Sequence, residues 1–586
     1  MDKNKDKLYK IRHSLAHVLA KAVLEVDPGA KLAIGPPVED GFYYDFELSD
    51  GFKIGDPELK NIQKRMRKMV QKGFEPIKAE LSYDQAKEVF AQQPYKLELI
   101  EDFKDGEAPI TTYEIAGFTD LCEGPHVESA HDIDARAFKL SKVAGAYWRG
   151  DEANTMLTRI YAYAFETPGE LDAHLEMLEE AKKRDHRKIG KEMGLFTFSD
   201  FVGGGLPLFT PRGTLMRELI VDKIDSIQKQ YGWERVTIPH ITKSDLYKTS
   251  GHWEQYKDDL FYVKGKSDTE FVMKPMNCPH HTQIYDAEPH SYKELPIRYT
   301  ETTMVYRDEQ AGELLGLSRV RSITQDDGHA FCTEDQIEQE VRSIISIIKQ
   351  FYTSLGMLTE GNYWVSLSVM DPANPDKYMN ENGIFEKAEK ILEDIAKEEK
   401  LPYKRIEGEA AFYGPKLDFQ FKDAIGREWQ LGTVQLDFSM PKRFNLTYTN
   451  KNGERETPIM IHRAIAGSLE RFLSVIIEHY AGDFPTWLSP EQVRVVPVAD
   501  AHSEYAHNVL AALEAAGIRA SLKEATDSLG KRIRNAKKAK VPYTLVLGDK
   551  EQEAHSVTAE VRNGEKLEIS LNDFIERVKK DIESSA

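Results

Sequence analysis

The chain has 586 residues, a formal net charge of -19 and only three cysteines. That length predicts roughly three to four domains, and the acidic balance excludes a globally basic, sequence-indifferent nucleic-acid binder. Three cysteines without a close pair exclude a disulfide-stapled secreted scaffold. They suit a reducing compartment, so the cytoplasm is expected.

The start, MDKNKDKLYKIRH, lacks the apolar core and cleavage site of a signal peptide. No later stretch approaches the roughly 20 apolar residues of a membrane span, so no membrane partner is expected. HSLAHVLAKAVLEV (13–26) has the spacing of an amphipathic helix stopped by Pro28 and Gly29. Strand-like GFYYDFEL (41–48) and a second helix, DPELKNIQKRMRKMVQKG (56–73), make this segment α+β. His13 and His17 lie four apart, on one helix face; Cys122 and His126 follow in DLCEGPHV. Three imidazoles and a thiol can close a tetrahedral zinc site, or, without metal, manage protons around a water.

LDAHLEMLEEAKKRDHRKIGKEMGLF (171–196) reads as one long charged helix entered through Pro168 and Gly169. The expected domains are 1–166, a helical linker 167–194, 195–487 and 488–586. Two basic runs, KKRDHRKIGK (182–191) and GKRIRNAKKAK (530–540), stand out from acidic surroundings. Either alone reads as a solvated helix face; together they fit local phosphate contacts.

From 195 to 487, long helices (217–232 and 334–356) mix with alternating apolar strands YWVSLSV, KLDFQFKD and REWQLGTVQLDF. They form no regular βαβ series, so a mainly antiparallel sheet flanked by helices is expected. No GxxxxGK[ST] or GxGxxG occurs, which excludes a P-loop or Rossmann site for ATP. Cys278, His329 and His462 supply a thiolate and two imidazoles, three ligands that leave a zinc ion one open position. Cys332 is read as packing. Arg307 suits a phosphate and Glu309 an exocyclic amine. GSLERF places a close approach at Gly467 and Arg471 on the same helix as His462. Two arginines on one triphosphate are what activation of a carboxylate by ATP requires. The last segment alternates strand and helix, a small α/β domain.

In order, FTPRGTLMRELIVDKIDSIQKQYGWERVTIPHI, ETTMVYRDEQAGELLGLSRVRSITQDDGH and GSLERF resemble motifs 1, 2 and 3 of class II aminoacyl-tRNA synthetases. With MKPMNCP, TQDDGH, GEAAFYGPKLDF, GTVQLDFS and MIHRAIAGSLERF, the chain is similar to the bacterial threonyl-tRNA synthetase family from about residue 10 onward. The resemblance implies an α+β catalytic core with antiparallel sheet, the class II synthetase fold. An α+β editing domain would precede it and a small α/β anticodon-binding domain would follow. It implies ATP, Mg2+, L-threonine and tRNA(Thr) as reactants, one Zn2+ per subunit, and a homodimer through the helix around Arg217 to Gln230. Cys278, His329 and His462 are then the zinc ligands, and Arg307 and Arg471 the ATP contacts. Gln325, Asp327, Tyr413, Lys416, Gln430 and Thr433 would line the amino-acid and adenylate pocket, with Glu309, Arg319, Ile323, Gln435 and Ser468 in the same substrate site.

An apolar pocket separates threonine from isosteric valine only about 10²-fold, whereas an open metal position can take threonine's amine and hydroxyl together. Serine shares that hydroxyl, so a second sieve is needed. The resemblance gives it to His13, His17, Lys96, Asp120, Cys122 and His126, hydrolysing seryl-tRNA without a metal. Lys531, Arg532, Arg534, Lys537 and Lys538 would meet tRNA phosphates and Glu551 would read a base. Some positions depart from the family pattern. His280 replaces a glycine, Ile323 a phenylalanine that stacks on adenine, and Glu560 an arginine beside Glu551. The chain is also expected to begin at the editing domain, without the small domain that precedes it in many relatives.

Overall fold

Apolar residues three and four apart turn inward on α1 (Lys7–Leu24) in the computed structural model, where Ile11, Leu15, Val18, Leu19 and Val23 are buried. The structure describes residues 7–104, 109–378, 383–423 and 425–584; the charged head MDKNKD lies outside the described residues. After α1 come β1 (Gly41–Glu47), α2 (Asp56–Lys72), β2 (Ile77–Leu81), α3 (Pro94–Glu101), β3 (Ile110–Ile115), β4 (Phe118–Leu121), β5 (Phe138–Tyr147) and β6 (Met156–Ala164). β6 pairs antiparallel with β1 and β5, while β2, β3 and β4 make a second antiparallel sheet. Pro57 opens α2, and the Glu58 carboxylate accepts the Gly55 N–H at 2.9 Å, a side-chain cap for the helix start.

The chain divides into two compact units between residues 179 and 180. The charged stretch read as one helix is two, α4 (Pro168–Arg184) and α5 (His186–Glu192). Asp185 breaks it: its ψ of 118° leaves the helical region and its carboxylate accepts the Arg187 N–H at 2.8 Å, an N-cap.

The second unit contains α6 (Pro211–Gln228), β7 (Glu234–Arg235), α7 (Cys278–Tyr285), β8 (Ile297–Tyr306), β9 (Ser322–Cys332), α8 (Ile337–Thr353), β10 (Tyr363–Val369), α9 (Ile384–Glu398), β11 (Tyr403–Glu407), β12 (Lys416–Lys422), β13 (Glu428–Asp437), β14 (Ile459–Ala464) and α10 (Leu469–Tyr480). Eight of the strands form one sheet in the order β7-β8-β9-β14-β13-β12-β10-β11. Only the outermost pairs, β7 with β8 and β10 with β11, are parallel. On one face Ala330, Leu417, Phe419, Val434, Leu436 and Ile461 join a large apolar cluster with Ile344 and Ile348 of α8 and Phe472 of α10. The two-residue alternation of strands sends Asp327, His329, Gln435 and His462 to the other face.

The chain ends in β15 (Val493–Pro497), α11 (Ser503–Ala515), β16 (Ala520–Leu522), α12 (Leu529–Lys538), β17 (Tyr543–Leu547), β18 (Ser556–Val561), β19 (Lys566–Ser570) and α13 (Leu571–Glu583). Their sheet runs β16-β15-β17-β18-β19, parallel across the first three strands and antiparallel after them. Among the described residues no helix is long and apolar enough to cross a membrane.

Between β14 and α10 the backbone turns at Gly467, at φ +65°, where an added Cβ would sit 2.6 Å from the Leu431 carbonyl oxygen. Gly467→Ala is expected to cost about 1–3 kcal/mol of stability. Urea unfolding checks this, and an unmoved midpoint would mean that the Leu431 backbone yields.

Candidate functional site

The register of the central sheet sets His329 directly opposite His462, and His462 opposite Gln435. Cys278, at the first turn of α7, completes a buried trio whose ligand atoms all lie within 4.8 Å of one another. His462 is therefore on a strand, not on the helix of Arg471 as read from the sequence; Gly467 separates the two elements. His462 Nε2 donates to Asp437 Oδ2 at 2.9 Å, which leaves Nδ1 as a lone pair. That Nδ1 faces His329 Nε2 at 3.1 Å, while His329 Nδ1 meets His281 Nδ1 at 2.7 Å. When His329 donates to His281, two lone pairs confront each other, an arrangement that calls for a cation between them. Zinc–nitrogen bonds of about 2.0–2.1 Å at a tetrahedral angle put two ligand nitrogens roughly 3.3 Å apart, close to the observed spacing. Burial pushes the Cys278 thiol well up, so only a metal or another positive charge would hold it as thiolate. Asp437 and His281 were not singled out in the sequence. Their signal is the strand alternation of GTVQLDFS and the imidazole beside His280. His280 itself is buried near Tyr247, outside the trio, and neither of its ring nitrogens has a partner among the described residues.

Around the trio the sheet face is polar. Burial pushes the Asp327 carboxyl up to about 6 against the pull of His462 and of a 3.1 Å hydrogen bond from Asn277. Tyr413 donates its hydroxyl to Gln435 Oε1 at 3.2 Å, and its ring lies 5.3 Å from that of His462. Lys416, Gln430 and Thr433 converge on one carboxylate, Asp418, at 2.6, 2.7 and 2.9 Å. Asp418 is the hub the sequence reading missed. His252 also enters this site, 3.6 Å from the Cys278 sulfur.

Three arginines meet beyond that wall. Burial lowers the Arg471 pKa, and the neighbouring Arg307 and Arg319 lower it further, so the site concentrates positive charge. Arg307 lies over the Tyr256 ring, 5.0 Å from its centroid, with its Nε unpartnered among the described residues. Glu309 accepts Arg319 Nε at 2.6 Å, so its carboxylate is engaged by an arginine in this state. Ile323 faces Val305 across the β8–β9 pair, and Gln325 bridges to Ser468, which caps α10 by accepting the Arg471 N–H at 3.2 Å.

In the first unit, His13, His17, Cys122 and His126 also gather within 4.8 Å. The Cys122 sulfur lies 3.2 Å from Nε2 of both His13 and His126, and Ser14 Oγ is 3.1 Å from His126 Nδ1. Lys96 and Asp120 form a buried pair at 2.6 Å, and the Tyr44 hydroxyl donates to Asp120 at 2.6 Å. His13, His17, Tyr44, Lys96, Asp120 and Cys122 line a cavity of about 440 Å³. Burial drives His17 down to about 4 and His126 to about 2, and the Cys122 thiol up to about 12. Burial works against the charge on Asp120 too, but Lys96, His17 and the Tyr44 hydroxyl outweigh it and hold the carboxyl below its usual range. The buried imidazoles and thiol are neutral beside one internal ion pair, with Glu123 also on the cavity wall.

The basic runs part company. Lys531, Arg534, Lys537 and Lys538 are exposed on α12, but Arg532 is buried and spends its guanidinium on the carbonyls of Asp527, Pro497, Lys523 and Val498. Arg532 anchors the helix and is withdrawn as a phosphate contact. Glu560 pairs with Lys537 at 2.6 Å. Glu551 accepts the Thr558 hydroxyl at 2.7 Å and the Gly548 N–H at 2.9 Å. In the first run, Arg184 and Arg187 are bound to Glu180 and Asp185, and His186 is buried.

Comparison with known proteins agrees with this layout. Residues 261–480 match the tRNA synthetase class II core domain (G, H, P, S and T), 492–581 an anticodon binding domain, and 110–161 the threonyl and alanyl tRNA synthetase second additional domain. The chain is 50% identical over 564 residues to a threonine–tRNA ligase of Gloeobacter violaceus, covering 95% of this chain and 89% of that protein. It is 43% identical to one from Thermotoga neapolitana, over 97% of this chain and 88% of the relative. Among solved structures, the RNA binding domain of threonyl-tRNA synthetase from Cryptosporidium parvum Iowa II superposes with a TM-score of 0.64. It is 34% identical, covering 68% of this chain and 98% of its own.

An unfolded histidine takes a proton near pH 6.5, whereas His17 takes one only near 4, so the unfolded chain binds more protons between those values. Stability is therefore present above about pH 6.5 and is lost as pH falls towards 4, by on the order of 3 kcal/mol from His17 alone. His17→Gln is expected to flatten the fall in thermal midpoint between pH 7.5 and 5; a slope identical to wild type would show that other groups carry it.

Proposed function

Because the chain belongs to the threonine–tRNA ligase family, and so attaches threonine to tRNA and edits the product, we propose how its residues divide that work. The observation that carries the reading is the pair of imidazole nitrogens facing each other at 3.1 Å beside a buried thiol. Cys278, His329 and His462 hold one zinc ion, with His281 and Asp437 fixing the ring tautomers. Zinc there supplies an open coordination position that a β-hydroxy amine fills and valine does not.

Asp327 accepts an N–H from the threonine amino group, which must give up its ammonium proton before its lone pair can meet zinc, and Gln325, Tyr413 and Gln435 close around the side chain and carboxylate. ATP enters with Mg2+ onto Arg307, Arg319 and Arg471, with Glu309 turning to the adenine once Arg319 moves to phosphate. Ile323 gives the base apolar contact and Ser468 holds the start of α10. The threonine carboxylate attacks the α-phosphate in line, pyrophosphate leaves, and the arginines take up the charge that builds there. Lys416, held by Asp418 with Gln430 and Thr433, lies on the adenylate side of the pocket. The adenylate then passes its acyl group to the terminal ribose of tRNA(Thr).

Seryl-tRNA made in error is hydrolysed in the first unit. There the neutral cluster of His13, His17, Cys122 and His126 manages the protons of an attacking water, and Lys96, released from Asp120, steadies the developing oxyanion. Lys531, Arg534, Lys537 and Lys538 meet tRNA phosphates, and Glu551 faces an anticodon base. The functional domains are taken as 1–166, 195–487 and 488–586 around the linker 167–194, in a cytoplasmic homodimer joined through α6.

Zinc analysis combined with ATP–pyrophosphate exchange tests this. The wild type should carry one zinc per chain and respond to threonine, weakly to serine and scarcely to valine. Cys278→Ser should lose both metal and threonine-dependent exchange; exchange at the wild-type rate without metal would reject the assignment. Two zinc ions per chain would give the editing pocket a metal as well. His13→Ala is expected to charge threonine normally yet accumulate seryl-tRNA, and undiminished deacylation in that variant would remove His13 from the editing site.

A further inference from the structure

The basic segment Asp185–Gly190 is not accounted for by threonine, ATP or tRNA contacts, although His186 within it is buried and doubly hydrogen-bonded. Asp185, His186 and Glu478 cluster closely enough to suggest a metal, but every donor atom is already engaged. The Asp185 oxygens hold Arg187, Glu478 Oε1 accepts both the backbone N–H and Nδ1 of His186, and Glu478 Oε2 holds Arg427. The remaining ring nitrogen, His186 Nε2, accepts the backbone N–H of Leu317 at 3.0 Å. Leu317 lies in the loop between β8 and β9, two residues before Arg319.

The loop is shaped for this contact. Gly316 has φ +52°, and a Cβ there would stand 2.3 Å from His186 Nε2 and 2.8 Å from Arg187 Cγ. The Leu317 side chain is fully buried in the central apolar cluster. The next residue, Ser318, offers its carbonyl to Arg471 Nε at 3.2 Å, and its hydroxyl lies 2.9 Å from that of Ser474. Glu478, Ser474 and Arg471 all belong to α10. One imidazole thus ties α10, through Glu478, to the loop that carries Arg319 and contacts Arg471.

We propose that His186 is a positioning residue for ATP activation, a latch that sets the β8–β9 loop against α10 so that Arg319 and Arg471 converge on the triphosphate. Its two contacts require a neutral ring that donates from Nδ1 and accepts at Nε2, a pairing that neither lysine nor arginine can supply. The proposal rests on the reading of Arg319 and Arg471 as ATP contacts.

Two isosteric variants separate the contacts. His186→Asn keeps a donor near Glu478 and loses the acceptor for Leu317, whereas His186→Gln can place its carbonyl oxygen near the Nε2 position. In ATP–pyrophosphate exchange by the full chain, His186→Asn is expected to raise the KM for ATP about tenfold. The KM for threonine, zinc content and seryl-tRNA hydrolysis should stay at wild-type values. His186→Gln should recover most of the ATP affinity. A wild-type KM for ATP in His186→Asn, with Arg471→Ala impaired, would overturn the latch and leave the ATP site standing. An unaltered KM in Arg471→Ala would instead overturn the ATP reading beneath it. Equal loss of ATP affinity and thermal midpoint in both His186 variants would reduce His186 to a structural post and also overturn the latch.

Discussion

A buried ion pair on the back of the sheet holds the register on which the site depends. Arg463 is fully buried, donating from Nη1 to Asp326 Oδ1 at 2.5 Å and from Nη2 to Gln228 and Thr300. Asp326 Oδ2 accepts the N–H groups of Ile465 and Ala466 at 2.7 and 3.0 Å. The pair therefore pins β14 to β9, β8 and α6 together. Asp327 and His462, one residue along, and His329, three along, point the other way. A one-residue slip would send the histidines into the apolar cluster and bring Arg463 to the site. Such a pair adds little net stability against a well-packed apolar alternative, but removing one partner strands a buried charge. Its contribution here is alignment.

The two pockets use opposite electrostatics, and their chemistry accounts for it. Around Arg307, Arg319 and Arg471 three like charges are neighbours, with Arg319 held by Glu309 and Glu313, an arrangement suited to an anion that would draw Arg319 away from its carboxylates. Around Cys122 the cluster is kept neutral by burial, with Lys96 and Asp120 cancelling each other. An ester to be cut by water needs proton transfer more than charge, and a permanently cationic pocket would attract phosphates that have no business there. Both pockets sit on regular elements, α1 and β4 in one unit and β8, β9, β13 and β14 in the other.

Much of this was legible because the chemistry is spelled in contiguous words. Cys278, His329 and His462 stood out by residue type, and the alternation of KLDFQFKD and GTVQLDFS predicted the sheet. What stayed hidden depended on register or on single polar residues. IMIHRAIAG is apolar enough to read as helix, and only its antiparallel partners make it β14, moving His462 off the helix of Arg471. Asp418 and Asp437 carry no signal in a strand until alternation and pairing place them beside Lys416 and His462. Arg532 looked like its neighbours in a basic helix, and the spacing that buries it with Ala536 also denies it to a phosphate. Asp185 was overlooked as a cap because lysines and arginines surround it.

Three histidine-containing groups among the described residues bring ligand-type atoms equally close and differ in how their ring nitrogens are satisfied. In the group of His186 every nitrogen and carboxylate oxygen has a partner within the protein, so nothing is left to bind and the group is a strut. In the group of His329 and His462 the outer nitrogens are engaged and the inner ones face each other at 3.1 Å beside the Cys278 thiol, a spacing that one shared proton or one metal ion can satisfy. In the group of His13, His17 and His126 the hydrogen bonds run to neutral partners, Cys122, Ser14 and the Pro125 carbonyl, and His17 Nδ1 has no partner among the described residues. A ring nitrogen without a committed partner can take or give a proton without breaking an internal bond, whereas an engaged one cannot. Proximity gathers all three groups, and the partners available to each ring nitrogen are what set them apart.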